Sequence, residues 1–116
     1  METKIIKSSI KKEQLAEIAK NQFGDLVKAV VDVEKEIMAV GGEMQADEEV
    51  ILMEQESSKR EYTWGINLYP EKSGEELIEF DSIINIKPSY GNRSRNVENP
   101  ETKEKIKTIV NKLIAE

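Results

Sequence analysis

The chain contains no cysteine and no histidine. Without thiols there is no disulfide framework and no thiolate nucleophile. Without imidazole there is no Ser-His-Asp triad, and zinc sites of the Cys/His kind are excluded with it. Aromatic residues make up 5% of the chain and include a single tryptophan. That is too few for a module that stacks bases on several rings of one open sheet. Apolar runs are a few residues long, too short to cross a bilayer as a helix. The opening METKIIKSSIKKEQ lacks the apolar core of a secretion signal, which sets the expectation of a cytoplasmic protein. What is present is 116 residues, the length of one domain with a core of its own, so residues 1–116 are read as one unit. The 23 acidic and 17 basic residues leave a net charge of −6, which repels nucleic acid at long range. The local basic groups, Lys4, Lys7, Lys11 and Lys12 at one end and Arg93 with Arg95 near the other, read as solvated surface. No membrane partner and no nucleic-acid partner is expected.

Along the chain, Ser8 or Ser9 can cap a helix over about 10–23, with Leu15, Ile18, Ala19 and Gln22 at a helical period and Gly24 as its stop. Residues 25–45 read two ways. As a helix they place Leu26, Val30, Val33, Ile37 and Val40 on one stripe; as strands they alternate and turn at Glu34-Lys35-Glu36. The dense β-branching favours the pleated state, but the residues themselves leave both open. Val50-Ile51-Leu52-Met53 reads as a short buried strand and residues 55–61 as a polar loop. Tyr62, Trp64, Ile66 and Leu68 alternate as a half-buried strand. Beyond the turn at Pro70–Gly74, Ile78, Phe80, Ile84 and Ile86 predict a partner strand. Pro88 stops that strand and an irregular loop follows. Asn99-Pro100-Glu101 then reads as cap, first-turn proline and first-turn acid of a last helix buried through Ile106, Ile109, Val110, Leu113 and Ile114.

The segments VVDVEKEIMAVGGEMQADEE, WGINLYP, EFDSIINIKP and GNRSR, in that order, resemble a small prokaryotic family known as a domain of unknown function. The resemblance runs from about residue 10 to the end and implies no activity. It does bear on the fold. A glycine often stands in that family at the position of Glu36, which suits a hairpin turn, so 26–34 and 36–45 are taken as strands. Relatives tend to carry histidine at the position of Gln45, within a His-Ala-Asp-type stretch. Any chemistry resting on that histidine is absent here, which weighs against an enzyme. The expected fold is α+β: an antiparallel sheet of about four to five strands packed against N- and C-terminal helices that share one face.

Four groups of residues are candidate sites. On the sheet face left open by two terminal helices, Asp32, Glu34, Asn67, Asp81 and Asn85, with Glu43 nearby, offer oxygen ligands. Of these, Asp32 and Asp81 are the candidate metal pair, although such residues commonly just solvate an open face. The loop Gly91-Asn92-Arg93-Ser94-Arg95 offers forked donors and backbone N–H groups to an anion ahead of a helix N-terminus; equally, its arginines can pair with Glu98 or Asp81. Ala46-Asp47-Glu48-Glu49 lacks the spacing of a calcium loop and reads as a solvated turn. Trp64 reads as core, while Tyr69 or Tyr90 can face a groove. Gly41-Gly42 and Ser57-Ser58 match no phosphate loop or nucleophile elbow. No cofactor is expected, a divalent cation being the one candidate. Two functions follow. One is a small interaction or regulatory module that binds a protein partner or itself through the open sheet face, where Val30 and Ile83 fall. The other is a metal-assisted hydrolase or phosphate-ligand binder using Asp32, Asp81, Arg93 and Arg95.

Overall fold

The computed structural model describes residues 2–115. Three helices surround a five-stranded antiparallel sheet of β1 (Lys4–Ile6), β3 (Val27–Asp32), β4 (Ile37–Val40), β5 (Thr63–Leu68) and β6 (Ile78–Glu79), in the order β1-β4-β3-β5-β6. A second, two-stranded sheet pairs β2 (Ile10–Lys11) in parallel with β7 (Ile114–Ala115), tying the two ends of the fold together. The helices are α1 (Lys12–Asn21), α2 (Gln45–Glu56) and α3 (Pro100–Leu113).

Residues 27–40 form the hairpin of β3 and β4, with strands shorter than the 26–34 and 36–45 expected, since Gln45 already begins α2. Its turn is set by Asp32, whose Oδ1 accepts from the N–H groups of Glu34 and Lys35 at 2.9 and 3.0 Å. Glu36 adopts a left-handed backbone with φ 58°, a conformation that glycine takes without strain. This is the position at which the family resemblance places a glycine. The face of the sheet bearing Val27, Ala29, Val31, Met38, Val40, Trp64, Ile66 and Leu68 forms the main core with Leu15 and Ala19 of α1 and Ile106, Ile109, Val110 and Leu113 of α3. Both terminal helices therefore pack on that face. Asn99 caps α3 through its side chain, as its sequence predicts.

Two expectations are corrected. Residues 50–53 are not a strand but the middle of α2. Leu52 is fully buried there while Val50 and Met53 are exposed, a helical spacing that four consecutive apolar residues cannot reveal by themselves. The helix ends at Ser57, which is left-handed at φ 57°, with Ser58 N–H bonded to Leu52 O. Consequently the second sheet face is not open. Leu52 packs there with Val30, Ile37, Ala39 and Ile84, so Val30 is interior and unavailable for self-association.

The predicted strand over 78–86 is also shorter than expected. Only Ile78 and Glu79 pair with β5; Ile83–Asn85 form a single 3-10 turn. Where the ladder stops, the Asn85 amide replaces it. Its Oδ1 accepts from Gly65 N–H at 2.8 Å and its Nδ2 donates to Gly65 O at 2.9 Å. Gly65 has to be glycine for this docking, because a Cβ there would collide with Ser82 and meet Ile84 Cγ1 at 3.0 Å.

Candidate functional site

The segment after the 3-10 turn at Pro88–Tyr90 is organised by a buried side-chain amide. Asn92 Nδ2 donates to the carbonyls of Asn85, Ser94 and Asn96 at 2.8, 3.0 and 2.7 Å, and its Oδ1 accepts from Glu98 N–H at 2.8 Å. Gly91 precedes it in a left-handed conformation, φ 84°. Around this hub the loop binds its own carboxylates. Glu98 Oε2 accepts from Arg93 N–H at 3.0 Å. A hydrogen bond from Ser94 and that Arg93 N–H hold the Glu98 carboxyl below its usual range. Arg95 Nε meets Asp81 Oδ1 at 2.6 Å on the surface.

Gly91 and Asn92 also line a cleft of about 670 Å³ that opens to solvent. Val33, Glu34, Glu61 and Tyr62 line it too, Trp64 and Tyr90 add rings, and the start of α3 contributes its cap Asn99 with Glu101 and Thr102. The lining thus holds three acidic residues, Glu34, Glu61 and Glu101, and one lysine, Lys105. The N-terminal end of α3 is already occupied, since Asn99 Oδ1 accepts from the N–H groups of Glu101 and Thr102 at 2.8 and 3.3 Å.

Behind the cleft, Trp64 is 6% exposed and the ammonium of Lys87 lies 3.8 Å from the centre of its ring. Lys87 Nζ donates to the carbonyls of Arg60 and Thr63, both at 2.6 Å. The lysine therefore fixes the tryptophan ring and the strand end that carries it. Burial lowers its pKa from 10.5 to about 8. Between those values the folded chain binds fewer protons at this group than the unfolded chain, so stability rises with pH. Urea midpoints should accordingly increase from pH 8 to pH 10. Above pH 10 the trend should flatten, because burial raises the Tyr69 phenol above 10.0 and the sign there is opposite. A Lys87→Met variant should be less stable at pH 8 and lose the rise; a wild-type midpoint that falls across this window contradicts the assignment.

The other candidates lie apart from the cleft. Asp32 is fully buried beneath α2, taken up by its turn and by Ser58 Oγ at 2.6 Å. Asp81 stands beside Asn67, whose Nδ2 donates to the Asp81 carbonyl. In the register Asp32 faces Thr63, while Asn67 lies four residues further along β5, so Asp32 and Asp81 are at opposite ends of the strand and are not brought together. Among the described residues no three acidic side chains form a group able to hold a metal ion.

The stretch 46–49 is not a solvated turn, which is a further correction. Asp47 is exposed, but Glu48 and Glu49 are buried at the start of α2. Glu49 accepts from Arg60 Nη1 at 3.2 Å and from Thr63 Oγ1 at 2.6 Å. Gln45 donates to Ile66 O and Asn67 Oδ1 at 3.1 and 2.9 Å. A helical reading of Gln45, Glu48, Glu49 and Leu52 as one stripe would have found them.

The fold and the cleft define a small α+β protein, with helices on both faces of a five-stranded antiparallel sheet and an acidic, aromatic-lined recess at one end. A family model described as a protein of unknown function, DUF5674, matches residues 4–113, and the chain belongs to that family. No curated protein and no solved structure matches it. Among the described residues no helix is long and apolar enough to cross a membrane.

Proposed function

We propose that this protein is an interaction module whose cleft beside Trp64 receives a basic segment of a protein partner. The observation that carries the reading is the convergence of Glu34, Glu61 and Glu101 with the rings of Tyr62 and Tyr90 on one open cleft. Aromatic faces attract ammonium and guanidinium groups, and carboxylates at the rim add attraction and a faster encounter. The net charge of −6 acts in the same direction.

The alternative, a phosphate or other anion on the 91–95 loop with hydrolysis assisted by a metal at Asp32 and Asp81, has less support. An anion at Arg93 N–H has to displace Glu98, and one at Arg95 has to displace Asp81. Self-association has less support too, although Ile83 stays 68% exposed.

The test is affinity for a short lysine- and arginine-containing peptide, with its lysine-acetylated counterpart as control. Glu61→Lys is expected to weaken binding roughly tenfold, about 1.4 kcal/mol, without shifting the urea midpoint, because Glu61 is exposed. Equal binding by variant and parent overturns the reading.

A further inference from the structure

Lys87 is buried behind the cleft, and its bonds reach two separate stretches of the cleft lining. Its main chain carries one of them. Lys87 N–H donates to Asn92 O at 2.9 Å, and its carbonyl accepts from Tyr90 N–H at 2.9 Å and Asn92 N–H at 3.3 Å. Its side chain carries the other, because the two carbonyls that Nζ engages, those of Arg60 and Thr63, bracket Glu61 and Tyr62. Trp64 has its ring against the same ammonium. One lysine thus supports Tyr90 and Asn92 on one stretch and Glu61, Tyr62 and Trp64 on the other, all of them cleft residues.

The charges that reach this ammonium come from two elements. Glu49 of α2 and Glu61 of the 3-10 turn Arg60–Tyr62 favour its protonated form, and Arg60 of that turn opposes it. From β5 it meets a carbonyl and an uncharged ring, and the turn Pro88–Tyr90 holds no residue charged at neutral pH. Glu61 therefore has two parts to play. It is a carboxylate of the cleft, and its charge helps to keep the proton on Lys87. A cation that pairs with Glu61 cancels that help and brings a like charge toward Lys87.

We propose that Lys87 is the positioning residue of the cleft, and that a guanidinium or ammonium group bound at Glu61 drives the proton off Lys87 into solvent. The inference rests on the reading of the cleft as a site for a basic segment and adds its regulation. The N–H bond that breaks leaves its electron pair on Nζ, the proton passes to buffer, and the ligand keeps its charge. A neutral amine retains two N–H donors, one for each of the Arg60 and Thr63 carbonyls, so the lining stays in place. Linkage then has one sign. Binding that releases a proton is favoured as protons become scarcer, so affinity rises with pH. The window is pH 7 to pH 9, which spans the Lys87 midpoint of about 8 and in which arginine keeps its charge.

The probe is a short arginine-containing peptide without lysine, blocked at both ends. Calorimetry in buffers of different protonation enthalpy reads proton release, and carbon-detected NMR of Lys87 Cε reads its titration midpoint with and without peptide. The expected result is proton release at pH 7.5 that fades by pH 9, and a Lys87 midpoint moved to lower pH by the peptide. Affinity should be about fivefold tighter at pH 9 than at pH 7, the low end of typical coupling between sites. Lys87→Arg keeps donors and a fixed charge, so it should lose the proton release and stay near the parent's pH 7 affinity at both pH values, which a merely structural role does not predict. In the free chain, Glu61→Gln should lower the Lys87 midpoint. Binding with no proton release and an unmoved midpoint, or an affinity that falls from pH 7 to pH 9, overturns the proposal and leaves the reading of the cleft standing. A peptide that binds at no pH overturns both.

Discussion

Asn85→Ala is expected to lower the stability of the chain by about 3 kcal/mol, read as a drop in the urea midpoint. The Asn85 side chain carries three hydrogen bonds, with Gly65 N–H, Gly65 O and Arg95 O. Gly65 is in the buried interior of β5, and removing the amide leaves its N–H and C=O without partners at the point where β6 has ended. Each unpaired buried group costs about 1–3 kcal/mol. Asn85→Asp should not rescue the loss, because it places a carboxylate oxygen against two carbonyl oxygens. Asn85→Gln should recover little, since Ser82 and Ile84 already fill the space over Gly65. A change below about 0.5 kcal/mol, the range of ordinary surface substitutions, would mean that the 82–86 segment does not dock on β5 as described.

Leu52→Ala is expected to cost roughly 3 kcal/mol, within the range of about 2–5 kcal/mol for a buried leucine that leaves a cavity. Leu52 is the fully buried apolar anchor of α2, set against Val30, Ile37, Ala39 and Ile84. By contrast, Val50→Ala and Met53→Ala should each stay within about 0.5 kcal/mol, since those side chains are 49% and 43% exposed. The contrast distinguishes a helix from a strand at residues 50–53. A strand buried on one face pairs Val50 with Leu52 and makes both costly. Amide exchange on the same three variants adds a second readout: loss of Leu52 should speed exchange throughout α2, and loss of Val50 or Met53 should not.

Much of the fold was legible because several elements follow a single local period. Asn99-Pro100-Glu101 marks the start of α3, and Ile106, Ile109, Val110 and Leu113 recur at the helical spacing that the main core buries. The β3–β4 hairpin is ambiguous from its valines; the family resemblance, with a glycine at the position of Glu36, favours the hairpin, and Glu36 takes the conformation a glycine would favour. Other elements depend on contacts remote in sequence. An apolar run of four, 50–53, fits either period, so it hides α2 and leaves the sheet face that α2 covers looking open. The alternation at 78–86 matches a strand, yet the Asn85 amide, twenty residues from Gly65, takes over the edge of β5. No local pattern reports such a substitution of side chain for backbone.

The candidate site divides in the same way. The 91–95 loop stood out by composition, and Gly91 and Asn92 do line the cleft. Tyr90, read as able to face a groove, lines it as well, while Trp64 is mainly core with its ring held by Lys87. The carboxylates that give the cleft its sign, Glu34, Glu61 and Glu101, lie in three separate segments and look like ordinary surface charge. Their convergence depends on the β3–β4 turn, the approach to β5 and the start of α3 meeting at one end of the sheet. Glu48 and Glu49 were hidden inside an acidic run, where a helical stripe and a solvated turn have the same composition.

The most direct test of the account is an amide NMR titration of the labelled chain, first with the basic peptide and separately with inorganic phosphate. The account predicts that the peptide shifts signals of residues 33–34, 61–64, 90–92 and 99–105, with the Trp64 indole N–H among them, and that phosphate leaves 91–98 in place. Phosphate-induced shifts centred on Arg93, Arg95 and Glu98, with the peptide silent at the cleft, would contradict it and identify an anion site instead.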